Sequence, residues 1–219
     1  MDNHKYTDSQ LQQAVLTELS WEPSVSSAHI GVTAKEGVVT LTGHVKNYAE
    51  KHAAERTASR VKGVKAIAEE IEVRLPLDAV RDDADIAEAA LNRLAWDVSI
   101  PDDTIKVKVQ KGWVTLTGEV DWHYQQEAAA QDVRRLLGVV GLSDQTTVKP
   151  TLNEANIRDS VILALSRSWA NPANIEVSTE GGTVRLSGAV HSMHDRNLAA
   201  ATAWAARGTT RVENNIAVV

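Results

Sequence analysis

GVVTLTGHV at residues 37–45 recurs as GWVTLTGEV at 112–120 and as GTVRLSGAV at 182–190, 75 and then 70 residues further on. An alternating strand opens seven residues before each block, at Ile30-x-Val32, Ile105-x-Val107 and Ile175-x-Val177. Twenty residues after Gly43, Gly118 and Gly188 come Gly63, Gly138 and Gly208. Agreement at fixed spacing over some forty positions marks three tandem copies of one unit, and a repeat decides the architecture before any single element does.

Each copy begins with apolar residues four apart: Leu11, Val15, Leu19; Ile86, Ala90, Leu94; Ile157, Val161, Leu165. That spacing predicts one helical face. Thr7 and Gln10 have capping-box spacing, and Asp82, Asp83 and Asp85 suit the positive end of the second copy's first helix. Two strands follow, joined by short turns at Lys35-Glu36-Gly37, Gln110-Lys111-Gly112 and Glu180-Gly181-Gly182, which read as hairpins. The second helix is expected to start at Asn47 and Ser192, with Asp121 as the cap in the middle copy. It buries Ala54, Ala58, Val61; Ala129, Val133, Leu136; and Ala199, Ala203, Ala206. Gly63, Gly138 and Gly208 then read as helix C-caps. A last strand ends at Val73, Val148 and Val218.

The order is αββαβ, so the expected fold class is α+β: three modules, each a mixed three-stranded sheet with two helices. A crossover helix makes the third strand parallel to the second, while its sheet neighbour stays open. The expected boundaries are a tail at 1–7 and modules at 8–75, 83–149 and 153–219. A unit of about 65 residues is marginal alone, and the linkers are short, with Pro76 and Pro150, so the copies are expected to pack together.

The module order, the strand-end glycine and the later glycine resemble the BON family, bacterial modules named after osmotic-stress and nodulation proteins. The likeness covers nearly the whole chain. SWEPSVSSAHIGV at 20–32 and KEGVVTLTGHVKNYAEKHAAERTASRVKGV at 35–64 resemble triple-BON proteins similar to the osmotically inducible periplasmic protein Y family. The resemblance implies a non-catalytic, stress-associated binding protein of the bacterial envelope that contacts phospholipid or a membrane-bound partner. A soluble oligomer is the alternative: a scaffold, an ion or small-solute binder, or a carrier in transport across the envelope. Gly43, Gly118, Gly188, Gly63, Gly138 and Gly208 carry the family signature. Their simplest role is steric, since glycine brings no chemistry of its own.

Composition narrows the partners. Hydrophobic residues make up 43% of the 219 and charged residues 24%, as in an ordinary globular protein. A net charge of −6 argues against a nucleic-acid partner and against purely electrostatic attraction to anionic lipid. The copies carry −2 (8–73), −4 (84–148) and 0 (153–218). The absence of cysteine rules out disulfides and thiolate chemistry. The N-terminal residues lack a signal peptide's basic and apolar regions, so the expected location is cytoplasmic and at most peripheral to the membrane; a processed mature form would read the same and be periplasmic.

No nucleophile with a base, carboxylate pair, phosphate loop or zinc spacing repeats, so no catalytic residue, cofactor or metal is expected. His191, His194 and Asp195 read as a solvated helix start rather than a metal site. Glu69-Glu70 and Asp82-Asp83 read as solvated faces or helix-end charges. Trp21 and Trp96 occupy matching places after the first helix and are expected to plug the core, with Trp169 in a similar part. Trp113, Trp122 and Trp204 have no aromatic equivalents, and Tyr48 and Met193 take the place of His123. With Tyr124 these residues are the candidates for contact with a membrane or partner. Packing between copies is the simpler reading for the three tryptophans, because tryptophan is seldom left exposed.

Overall fold

The computed structural model describes residues 6–149, 157–168 and 174–219. Pro150 and Trp169 lie outside them. The first module runs α1 (Asp8–Trp21), β1 (Ile30–Lys35), β2 (Val38–Val45), α2 (Tyr48–Ser59) and β3 (Ala66–Val73). The second runs α3 (Asp83–Trp96), β4 (Ile105–Gln110), β5 (Trp113–Val120), α4 (His123–Arg134) and β6 (Gly141–Val148). The third runs α5 (Ile157–Ser168), β7 (Ile175–Glu180), β8 (Thr183–Val190), α6 (Met193–Trp204) and β9 (Arg211–Val218).

In every sheet the middle strand is the second, antiparallel to the first and parallel to the third. The question of the third strand's neighbour is thereby answered. Alternation along the middle strand buries Val39, Leu41 and Val45, then Val114, Leu116 and Val120, then Val184, Leu186 and Val190. Gly43, Gly118 and Gly188 have the same buried parity, but backbone fills their space. A Cβ there would lie 2.0, 2.0 and 1.9 Å from the carbonyl oxygens of His29, Thr104 and Asn174, and φ is +114°, +142° and +126°. Both terms demand glycine.

Local chemistry fixes the element ends. Thr7 and Gln10 form a capping box, while Asn47, Asp82 and Ser192 cap α2, α3 and α6. The two-residue turns have positive φ at both positions, 54° and 88° at Glu36-Gly37 and 53° and 75° at Lys111-Gly112, the hairpin form that matches strand twist. Asp8 accepts from the Glu36 amide, and Asp83 accepts from the amides of Lys111 and Gly112, each at 2.8 Å. The first helix thus pins the hairpin tip. Those amide bonds hold the Asp83 carboxyl below its usual range.

Three expectations need correction. Asp121 does not cap α4, because the register that aligns Asn47 with Ser192 puts Trp122 at the cap. The Gln125 side chain instead accepts from the amides of Asp121 and Trp122, and Asp121 pairs with Lys149 at 3.3 Å. Gly63, Gly138 and Gly208 take positive φ but do not cap the helices directly. One tight turn separates each from its capping residue, Arg60, Arg135 or Ala205.

The third concerns the tryptophans. Trp21 and Trp96 do not plug the core; they are 80% and 85% exposed. Leu11, Val15 and Leu19 line one side of α1, and Ile86, Ala90 and Leu94 one side of α3. A residue two places beyond the last of these lies about 200° around the helix, facing away.

Candidate functional site

The residues that differ among the copies meet where the copies meet. Tyr48, His123 and Met193 are each the first residue of the second helix. Tyr48 packs against the core of the second module. His123 stacks on Trp204 of the third, with ring centroids 4.3 Å apart and planes inclined by 12°. Met193 packs against the core of the first. One position therefore docks first module on second, second on third and third on first. These contacts link the three modules into a ring.

Tyr48, Met193 and Trp204 are accordingly half-buried in these seams, and Trp204 also packs against the second module's core. Burial lowers the pKa of His123, with partial opposition from Glu127 and Asp144. Trp122 is 36% exposed, with the Arg207 guanidinium 5.9 Å from its ring centre. Beside it Tyr124 remains 57% exposed, on the rim of a groove of about 620 Å³ that also holds His123 and Trp204. Trp113 is brought to neither seam. It is half-exposed on the open face of its sheet, its ring where a Cβ of Gly141 would stand.

A cavity of about 1010 Å³ occupies the junction of α2, α4 and α6. Its lining repeats in register: His52, Glu127 and Asn197 form one set, Arg56, Gln131 and Ala201 the next. Arg134 and Arg135 join them from α4. Burial first, then Arg134 and Arg56, push His52 down to about 4. Burial, then Glu69, raises Glu55. Sequence reasoning missed this site, although applying the 75- and 70-residue offsets to the polar side of the second helix selects both sets.

The remaining polar candidates have structural partners. Glu69 pairs with Lys51 at 2.8 Å, and the Asp195 amide donates to Ser192. Among the described residues no three His, Cys, Asp or Glu side chains gather as a metal site. None of the helices there is long and apolar enough to cross a membrane.

The outer surface carries an aromatic feature of its own. Trp21 and Trp96 end α1 and α3 at equivalent positions, and Val98 beside Trp96 is fully exposed. Each is followed by a carboxylate that accepts from a serine amide and hydroxyl, Glu22 from Ser24 and Asp97 from Ser99. That local turn holds the tip in shape.

The family model for the BON domain matches residues 7–74, 82–150 and 153–219. The chain belongs to the BON family. It is 28% identical over 147 residues to osmotically-inducible protein Y of Escherichia coli (strain K12), a match covering 65% of this chain and 73% of that protein. Two solved structures of CdsD, a structural protein of the type III secretion system of Chlamydia trachomatis, also align. One covers 94% of this chain and 91% of its own at 15% identity; the other, the C-terminal domain, covers 98% and 100% at 16% identity. Both have a TM-score of 0.27, too low to transfer anything to this BON protein.

Proposed function

We propose that this BON protein is a non-catalytic osmotic-stress protein of the bacterial envelope that rests peripherally on phospholipid through the tips of its first helices. The observation that carries the reading is the pair of equivalent indoles, Trp21 and Trp96, left 80% and 85% exposed. The two indoles take equivalent places at the ends of α1 and α3. Tryptophan is at home in the interfacial layer of a bilayer, and two rigid indoles on capped turns need little ordering to enter it. The likeness to osmotically-inducible protein Y supports the stress setting. The charge of −6 opposes anionic lipid, so contact is apolar and responds weakly to salt. The alternative of solute binding draws support from the polar cavity.

Vesicle flotation on mixed phosphatidylcholine and phosphatidylglycerol at two salt concentrations tests the proposal. The wild type should float, W21S/W96S should stay below, and W122A/Y124A should float like the wild type. A wild type that fails to float, or a W21S/W96S variant that floats equally, refutes it.

A further inference from the structure

The central cavity is lined by three arginines, Arg56, Arg134 and Arg135, together with Glu50, Glu55 and Glu127. Its volume of about 1010 Å³ matches the upper end of small-molecule sites, roughly 300–1,000 Å³. Arg134 is half-buried, and its Nε is wholly buried with no hydrogen-bond partner. Among the described residues neither Arg134 nor Arg56 nor Arg135 takes part in an ion pair. A guanidinium carries five donors, and leaving one unmet where water does not reach is costly.

Among the described residues none of the lining carboxylates forms an ion pair with these arginines. Glu50 is engaged by the amides of Ser26 and Lys46, at 2.7 and 3.0 Å. Burial, then the charge of Glu69, raises the pKa of Glu55, with Lys51 and Arg134 pulling the other way. Glu127 stands two turns before Arg134 on the same face of α4, and both line the cavity. Arg134 and Arg56, from different modules, both line the cavity beside His52 and both act on it. His52 cannot serve them as a counter-charge, because its only charged form is also a cation.

We infer that the cavity between α2, α4 and α6 binds a small organic oxyanion, whose carboxylate or phosphate is taken by Arg134 and Arg56. Planar guanidiniums bind such groups through paired hydrogen bonds, and an orphaned buried donor is the mark of a missing partner. Ser59 and Trp204 occupy the place of Arg134 in the other modules, so the site is single and off the ring axis. It depends on the ring, not on the membrane contact.

Titration calorimetry with glycerol 3-phosphate, on the full chain at constant ionic strength, tests the inference. One saturable site is expected in the wild type. R134Q should weaken binding about tenfold or more, consistent with losing a charge-assisted pair; R134K and R56Q should weaken it less, and W21S/W96S should leave it unchanged. Absence of saturable binding in the wild type overturns the site, as does R134Q binding equal to wild type. If R134Q does not melt cooperatively, the melting temperature of the wild type in phosphate against chloride of equal ionic strength decides: a rise supports the site and no rise overturns it. Phosphatidylglycerol vesicles separate the sources. If R134Q loses vesicle binding as well as the free ligand, the anion is a lipid headgroup; if it loses only the free ligand, the anion is a soluble solute.

Discussion

Trp21 and Trp96 are alike in two modules and lie outside the fold, whereas Tyr48, His123 and Met193 differ in three modules and lie within it. The contrast separates two kinds of repeated position. An identical residue that is not buried serves something each module does toward the outside. A position whose residue changes but which is half-buried every time distinguishes one seam from another, so that each module finds its proper neighbour. The buried glycines and alanines form a third class, alike and internal, and they define the module itself.

The largest effect belongs to that third class. Gly118→Val drives a side chain into the Thr104 carbonyl and forces a left-handed φ on a branched residue. Several kcal/mol of the second module's stability should be lost, seen as early unfolding in urea. A fully stable Gly118→Val protein would break the steric account of the signature glycines.

Next come the seams. Trp204→Ala removes the His123 stack and the contact with the second core, at a cost of about 2–3 kcal/mol. The modules should stay folded while the ring opens, so small-angle scattering should show a larger radius with helical content retained. If content and radius fall together, the seam and the module are not separable units.

Acid should open the same ring more gently. His52 has a folded pKa of about 4, below the ordinary 6.5. The open or unfolded form binds the extra proton first, so this contribution is complete above about pH 6.5 and disappears as pH falls toward 4. After allowance for partial solvent access it is on the order of 1–2 kcal/mol. His52→Gln should flatten the melting-temperature profile over that window. An unchanged profile would remove His52 from the account.

The smallest effects distinguish a true cap from an apparent one. Gln125→Ala should cost about 1 kcal/mol, because its oxygen serves two amides of the α4 start. Asp121→Ala should cost under about 0.5 kcal/mol, since its partner Lys149 lies at an exposed surface. Thermal melts of the two variants give the order, and the reverse order would restore Asp121 as the cap.

Most of the fold could be read because its signals are local. The four-residue spacing of Leu11, Val15 and Leu19, the period of two in VVTLTGHV and the glycine that breaks it all refer to one element at a time. Docking between modules is not local. That Tyr48, His123 and Met193 are equivalent was visible from alignment, but the neighbour each touches depends on how three sheets sit together. Trp21 was misplaced for a simpler reason: its closeness to Leu19 along the chain suggested the core, whereas its angle around the helix puts it outside. Arg134 gave no signal as an isolated arginine, and it acquires meaning only beside Arg56 and His52 from another module.

Fluorescence quenching by vesicles with brominated acyl chains tests most directly whether the helix tips meet the bilayer. Wild-type emission should be quenched by shallow bromines, and the tryptophans that remain in W21S/W96S should not be quenched at all. Quenching that persists in W21S/W96S, or that is absent from the wild type, would contradict the proposed contact.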